Sequence, residues 1–466
     1  MVEKIVMALV IPFGLLCLIR PFYLLYLLPT IMVLGFAPSV SYEKTPLLRI
    51  GSINLFITDY LILILLFLLT VMVAKNLFFK RHLLEGLIEG RINKLVLLFF
   101  LWSIFIGFLS YGKGFALQNI LRNLSTEALM FIAVLVPTIP DIELKKEKFF
   151  RYSIFLGLLL VLFSLWKYFT HDVEFTSSGT RRTLLGNTVV IFMLPICYML
   201  FYSRYYRLHR MLACTMIAFL AIGIALTGHR SGFVTLAFVL FFYFTTRDFK
   251  MLEYIWVPTA GIAMVILTVL IASMLQITPG KSLAGDMLLR IGDTLNLENK
   301  TTVERLSKWD DSLEITRRYP LLGLGRFPVH TDSITEDSNL KLKESFADFN
   351  RATHNMFAEQ LANTGLLGLS VMIFFLYGIF RQFKNLPARD RRYADFLKTY
   401  LWSLLVFSQF NTSFTDPLGK IFFFIVLGFF NARLLQEQTG IQPVHSAPVF
   451  YRNFLKTPGE AHRSNG

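Results

Sequence analysis

Side chains that bind anions and move protons recur at a few places in this chain. Arg181 and Arg182 lie in TSSGTRRTLLGN. Arg230 lies in LTGHRSGF, Arg305 lies in TTVERLSKWDDSLEITRRYP, and His354 lies in RATHNMFAEQLANTGLLGL. A guanidinium binds phosphate as a planar fork, and a neutral imidazole can accept a proton near pH 7. These residue types predict anion binding combined with proton transfer, if the surrounding elements bring them together.

The composition indicates a membrane protein. The 466 residues are 55% hydrophobic, and the mean hydropathy is +0.56. Soluble domains are usually less apolar than this. The net charge of +15 fits basic loops and anionic lipid better than nucleic acid, which we do not expect as a partner. The three cysteines, Cys17, Cys197 and Cys214, lie in apolar runs and are typical of packing residues.

The apolar runs predict an all-α polytopic membrane protein. Eleven of them are the clearest candidates for spanning helices: residues 53–74, 95–111, 119–136, 153–169, 188–202, 211–227, 232–244, 254–275, 355–380, 393–410 and 421–435. An earlier run, residues 5–36, is interrupted by Arg20-Pro21. Counted as one crossing it gives about 12 transmembrane helices, and counted as two it gives 13.

Basic residues orient the array. Loops rich in Lys and Arg alternate with loops that carry few, and the basic set should be cytoplasmic. The chain then divides into N-terminal transmembrane helices (1–275), one large periplasmic loop (276–354), C-terminal transmembrane helices (355–436) and a cytoplasmic tail (437–466). The arginines at 181, 182, 230 and 305 fall on the periplasmic side, where topology does not explain them.

The large loop carries its own amphipathic pattern. Val303, Leu306, Trp309 and Leu313 recur near helical spacing, with charged residues between them. This predicts a helix that lies on the membrane or caps the bundle. Pro320 should end the helix, and the glycines at 323 and 325 should form a turn.

The run that begins at His354 should start a membrane helix. In a continuous helix, His354, Ala358, Gly365 and Gly368 share one stripe, whose small residues would let another helix approach closely. Asn355 has two interpretations: it caps the helix, or it faces a polar cavity.

These motifs resemble the O-antigen ligase and O-antigen polymerase superfamily, and most closely the ligases. The resemblance covers roughly residues 226–369 and rests on three matches. They are His354-Asn355 followed after nine residues by Gly365-x-x-Gly368, Arg230 before a Ser-Gly pair, and the loop series Arg305, Trp309, Pro320, Gly323 and Gly325. One departure is Asn363, where relatives often carry an acid.

The resemblance implies a glycosyltransferase of cell-envelope polysaccharide or lipopolysaccharide biosynthesis. Its donor would be a glycan on undecaprenyl pyrophosphate, and its acceptor a sugar hydroxyl of lipid A-core. The protein would be a multi-pass protein of the bacterial inner membrane with its active site facing the periplasm, surrounded by membrane lipids. The family requires no metal ion or cofactor, and direct attack on the anomeric carbon would invert its configuration.

The resemblance and the chemistry together assign roles. His354, Arg230 and Arg305 are the candidate catalytic residues, with His354 acting either as a general base or as a group that orients the acceptor. The candidate substrate-binding residues are Arg181, Arg182, Asn355, His229 and Arg326. No metal site is predicted.

Two alternatives remain at this point. An O-antigen or exopolysaccharide polymerase would extend lipid-linked repeats with the same chemistry. A transporter or lipid flippase belongs to a different class, and it predicts internal repeats and polar groups on both sides of the membrane centre. The polar groups here cluster on one side, which favours the enzyme.

Overall fold

The computed structural model describes most of the bundle and a few short pieces near its N-terminus. The described residues are 16, 20–23, 25–30, 48–50, 53–55, 64, 67, 70–71, 90–112, 117–139, 141–170, 174–175, 181–184, 188–202, 210–227, 229–246, 300–325, 355–409 and 417–439.

Helices dominate these ranges. In chain order they are α1 Arg91–Gly112, α2 Leu117–Ala128, α3 Ile132–Leu135, α4 Ile142–Phe169, α5 Val189–Cys197, α6 Arg210–Leu226, α7 Arg230–Thr246, α8 Lys300–Arg318, α9 Met356–Gln382, α10 Arg391–Ser408 and α11 Pro417–Thr439. Short 3₁₀ turns occur at Pro21–Tyr23, Leu129–Phe131, Val136–Thr138, Phe383–Asn385 and Ala388–Asp390, and a π turn occurs at Tyr198–Tyr202.

Two small antiparallel hairpins interrupt the helical pattern. Strand β1 (Leu48–Ile50) pairs with β2 (Ile53–Leu55), and β3 (Glu174–Phe175) pairs with β4 (Arg181–Arg182). The first hairpin corrects the prediction that a membrane span begins at residue 53. Ile50 pairs with Ile53, and two residues separate them in the sequence, which is the commonest spacing in a hairpin.

The membrane character of the protein is supported by four of the described helices. Within the described residues, four helices are long and apolar enough to cross a bilayer: Arg91–Gly112, Lys145–Phe169, Met356–Asn385 and Leu418–Gln438. Shorter apolar helices cover Asn123–Thr138, Val189–Phe201, Ala213–Leu226 and Ser231–Tyr243. The predicted span 254–275 and much of the loop 276–354 lie outside the described residues. The count of about 12 helices and the extent of the periplasmic loop therefore stay predictions.

Helix α11 forms the centre of the bundle. In its apolar 18-residue stretch, 94% of the positions are buried inside the protein. The helix packs against α10, against α3 and against the two 3₁₀ turns that flank α3. Phenylalanine rings fill the junction with α4 and α10. The ring centroid of Phe150 lies 5.0 Å from that of Phe396 and 5.4 Å from that of Phe429. Such ring pairs add to the stabilisation that burial alone provides.

Buried polar groups link sequence-distant helices within this apolar centre. The side-chain amide of Asn431 donates to the Asn93 side chain at 2.6 Å and to the Ala133 carbonyl at 3.0 Å. The Lys420 ammonium donates to the Glu127 carboxylate, and each of these two side chains is 5% exposed. Each pairing satisfies a group that would be costly to bury alone.

Ion pairs and a cation–π contact stabilise the end of the bundle that the distribution of basic loops predicts to be cytoplasmic. Nε of Arg433 donates to the Asp390 carboxylate at 2.7 Å, and the same guanidinium lies 2.8 Å from the Glu437 carboxylate. The Lys146 ammonium lies 3.9 Å from the centroid of the Tyr393 ring. These contacts fix the turn before α10 against α11.

Breaking the buried ion pair should destabilise the bundle. Lys420→Met would leave the Glu127 carboxylate buried without its cation, a loss of roughly 3–5 kcal/mol. The double variant Lys420→Met/Glu127→Gln should regain most of that loss, because no lone charge remains. Thermal unfolding of the purified protein in detergent would measure both effects.

The exposed pair of Glu314 and Arg318 supplies the control. Both side chains are about half exposed, so Glu314→Gln should change stability by no more than about 1 kcal/mol. Equal melting temperatures for Lys420→Met and the native protein would show that the buried pair does not constrain the fold.

Candidate active site

Helix α9 is broken at Gly365, the first glycine of the Gly-x-x-Gly motif. Gly365 has φ 66° and ψ −167°, so residues 356–364 and 366–382 form two helical halves. A break of this kind interrupts the regular i to i−4 hydrogen bonds on both sides of the glycine. Backbone groups freed in this way need other partners, because lipid offers none.

The loop that follows α8 supplies those partners. Four backbone hydrogen bonds join the two segments: Leu324 N–H to Ala362 O (2.9 Å), Gly325 N–H to Asn363 O (2.8 Å), Leu366 N–H to Pro320 O (2.8 Å) and Leu367 N–H to Leu321 O (3.2 Å). We call this paired region, residues 320–325 and 362–367, the interlock. It fixes the end of α8 on the break in α9.

Two glycines make the interlock sterically feasible. Gly323 has φ +64°, and a Cβ there would lie 2.5 Å from the carbonyl carbon of Asn363. A Cβ on Gly365 would lie 2.4 Å from the carbonyl carbon and oxygen of Leu321. These contacts involve backbone atoms, which cannot move aside as a flexible side chain can. The two glycine motifs of the sequence therefore meet each other in space.

This pairing corrects the interpretation of the small-residue stripe. The stripe of His354, Ala358, Gly365 and Gly368 assumes a continuous helix, and the break at Gly365 removes that continuity. Gly365 faces a loop backbone rather than a helix. Gly368 does meet another helix, since a Cβ there would lie 3.2 Å from Nε1 of Trp102 in α1.

Asn355 acts as the N-cap of α9. Its side-chain oxygen accepts hydrogen bonds from the N–H groups of Phe357 (2.9 Å) and Ala358 (3.0 Å). The capping interpretation is therefore confirmed. Asn355 has extended backbone angles, and His354, which lies outside the described residues, immediately precedes this fixed residue.

Helix α8 carries Arg305 and packs against α9. Ser312 and Ile315 are buried on its inner side, and the carbonyl of Tyr319 accepts a hydrogen bond from Gly323 N–H at 3.1 Å as the chain leaves the helix. The predicted helix and its terminating turn are thus confirmed. The Arg305 side chain and the whole of Arg326 lie outside the described residues.

A second group of candidate residues surrounds the turn between α6 and α7. Arg230 is the first residue of α7. The N–H of His229 donates to the Thr227 hydroxyl at 3.3 Å, and that hydroxyl donates to the Ile224 carbonyl at 2.6 Å. These bonds shape a tight turn that opens α7 at the arginine.

The arginine pair is anchored beside the same turn. The N–H of Thr183, the residue after β4, donates to the Leu226 carbonyl at 3.1 Å. The backbones of Arg181 and Arg182 are therefore close to the turn that carries His229 and Arg230, although the side chains of the three arginines are outside the described set. Sequence reasoning missed Thr183, because nothing in its spacing signals this contact.

Buried polar atoms without a hydrogen-bond partner occur beside the Arg230 turn and in the first half of α9. Among the residues that the structure describes, the Ser231 hydroxyl, the side-chain amide nitrogen of Gln360 and the indole N–H of Trp102 are buried without a hydrogen-bond partner. Ser231 follows Arg230, and Gln360 lies in the second turn of α9. The described residues also contain no cluster of three or more His, Cys, Asp or Glu side chains that could hold a metal ion.

Replacing Gly365 should open the interlock. Gly365→Ala places a Cβ against the Leu321 carbonyl and forces alanine into a backbone conformation (φ 66°, ψ −167°) that is essentially confined to glycine, which alone costs roughly 1–3 kcal/mol. We expect the amides of Leu324, Gly325, Leu366 and Leu367 to exchange hydrogen faster. Hydrogen–deuterium exchange on peptides that cover 320–326 and 362–368 would measure this loss of protection.

Gly112→Ala is the matched control, because a Cβ on Gly112 meets nothing within 4 Å. It should leave exchange in both segments unchanged. Unchanged protection in Gly365→Ala would mean that the four bonds do not depend on the glycine.

The comparison with known families covers this same region. Residues 215–373 match the family model described as O-antigen ligase. The match begins in α6 and ends in α9, so it includes the Arg230 turn, α8 and the interlock. No curated protein matches this chain. The resemblance stated from the sequence motifs is confirmed for residues 215–373, which are similar to the O-antigen ligase family.

Proposed function

We propose that this protein transfers a glycan from undecaprenyl pyrophosphate to a sugar hydroxyl, with lipid A-core as the acceptor, at the periplasmic face of the bacterial inner membrane. The observation that carries the proposal is the interlock. It joins α8, which bears Arg305, to the half-helix that starts beside His354, within the region that matches the O-antigen ligase family.

Helix geometry supports a shared site for Arg305 and His354. Helix α8 and the first half of α9 both run toward the interlock, and they pack together. Arg305 lies 13 residues before the end of α8, or about 20 Å of helix rise, and the first half of α9, from Met356 to Thr364, rises about 12 Å before the break. Arg305 and the start of α9 would therefore lie on the same side of the interlock.

The Arg230 turn provides the features that a pyrophosphate needs. Arg230 begins α7, so its charge adds to the positive dipole end of that helix. The Thr183–Leu226 bond keeps the arginine pair at 181 and 182 beside the turn. Cations fixed there would stabilise the charge that develops on the leaving pyrophosphate.

The proposed reaction needs no metal ion. The acceptor hydroxyl oxygen attacks the anomeric carbon of the donor, and its proton passes to the neutral imidazole of His354. The bond from the anomeric carbon to the phosphate oxygen breaks, and undecaprenyl pyrophosphate leaves with the electron pair. Attack opposite to the leaving group inverts the anomeric configuration.

The expected depth of the interlock in the bilayer also supports a site for a lipid-linked pyrophosphate. The second half of α9 reaches from Leu366 to Arg381, which is about 22 Å of helix rise. The hydrocarbon layer is about 30 Å thick. If Arg381 lies at the cytoplasmic boundary, the interlock lies in the outer part of the hydrocarbon and the first half of α9 rises into the headgroup region. A lipid-linked pyrophosphate is held at that depth.

Transfer activity would test the proposal directly. Purified protein with an undecaprenyl-pyrophosphate glycan and lipid A-core should form the joined product without added divalent metal. Arg230→Ala and Arg305→Ala should each lower the rate by about 100- to 1000-fold, and His354→Ala by about 100- to 10,000-fold. Arg392→Ala is the control, because Arg392 is exposed in the first turn of α10, on the predicted cytoplasmic side.

The outcomes separate the alternatives. Chain extension when only lipid-linked repeats are supplied, with no transfer to lipid A-core, would show a polymerase instead. His354→Gln retains a hydrogen-bonding group without a base, so activity well above that of His354→Ala would show that the histidine orients the acceptor. Full activity in all three alanine variants would show that these residues do not form the catalytic site.

A further inference from the structure

We infer that the C-terminal half of α8 enters the bilayer boundary, with the face of Leu313 and the following Leu321 in the lipid of the leaflet on the Asn355 side of α9. The inference goes beyond the proposed function, since it holds whatever reaction the protein catalyses. It rests on the distribution of buried and exposed residues around α8 and on the place where α8 joins a spanning helix.

Helix α8 has three faces rather than two. At about 100° per residue, Lys308, Ser312 and Ile315 form one face, on which Ser312 and Ile315 are buried against the protein. A second face carries polar side chains, namely the exposed Ser307 and the ion pair of Glu314 and Arg318.

The third face is apolar and, among the described residues, is only partly covered. Trp309 and Leu313 are one turn apart on it; Trp309 is partly buried, whereas Leu313 is 49% exposed. Beyond the helix end, Leu321 is 60% exposed. An apolar face on a helix whose other exposed face is charged is the pattern of a helix that lies at a bilayer surface.

The interlock makes this apolar face continuous with a lipid-facing surface. The N–H groups of Leu366 and Leu367 donate to Pro320 and Leu321, so Leu321 lies next to two leucines that are 49% and 46% exposed. Those leucines begin a stripe of exposed apolar residues that follows α9 through Ile373, Phe374 and Tyr377. Since α9 is long and apolar enough to cross a bilayer, this stripe faces acyl chains.

Because the exposed apolar face of α8 continues into that stripe, lipid is the partner that covers it. Leu321 is at the depth of Leu366 and Leu367, inside the hydrocarbon by the helix-rise argument above. Leu313, eight residues earlier, is then near the headgroup boundary. Arg317 and Arg318, both exposed in the last turn, lie between these two depths, and their long side chains would reach up to the lipid phosphates.

Spin labels would test the inference on the full chain in nanodiscs of phosphatidylethanolamine and phosphatidylglycerol. Single cysteines replace Leu313 or Leu321 after Cys17, Cys197 and Cys214 are changed to alanine. Each is labelled with a nitroxide, and its collisions with oxygen and with a water-soluble nickel chelate are compared. If the cysteine-free chain does not fold, Cys197 can stay, because it is fully buried.

Both labels should collide more with oxygen than with nickel, as a reference label at Phe374→Cys on the α9 stripe should. Glu314→Cys, next to Leu313 but on the polar face, is the matched control and should show the reverse. Greater nickel collision at 313 and 321 would place the face in water and refute the inference. Low collision with both reagents would refute it too, because a second copy or another protein segment would then cover the face. Lipid exposure at 321 alone would refute the claim for the helix.

Discussion

The architecture of the candidate site depends on one constraint, which is that a helix interrupted within lipid must find new partners for its backbone. Gly365 breaks α9, and residues 320–325 accept and donate the four hydrogen bonds that satisfy the break. An unsatisfied backbone group in hydrocarbon costs several kcal/mol. The end of α8 therefore cannot leave α9 without a large penalty. A loop helix that could otherwise drift on the membrane is held in register with a spanning helix, and catalysis by fixed charges requires such positioning.

Much of this arrangement follows from local pattern. The apolar runs predicted the spanning helices, the spacing from Val303 to Leu313 predicted α8, and Pro320 with the two glycines predicted its end. The break in α9 was not predictable in the same way. Glycine in an apolar helix fits a packing seam as well as a break, and the segment that fills the break lies about 40 residues earlier in the chain. The hairpin before residue 56 was missed because Ile53–Leu55 merges with the apolar run that follows it.

The candidate site residues were found by a different signal, namely basic residues on the side of the membrane where topology does not require them. That signal located Arg230 and the pair at 181 and 182. It could not show that the backbone of the pair lies beside the turn that carries Arg230. The link is the backbone bond from Thr183 to Leu226, which any residue except proline could make. The unpartnered hydroxyl of the buried Ser231 was not predictable either, because the burial of this residue depends on neighbouring helices.

The interlock is held by different interactions from the end of the bundle that is assigned to the cytoplasm, and this difference would suit the proposed site for an anion. Ion pairs of Arg433 with Asp390 and Glu437 tie the end assigned to the cytoplasm, whereas the interlock consists of neutral backbone groups. Carboxylates placed among arginines would compete with phosphate for them. A backbone scaffold avoids that competition. It also explains how Asn363 can stand where relatives often carry an acid. The interlock uses only the carbonyl of residue 363, which every residue type supplies, so the side chain there can change without loosening the scaffold.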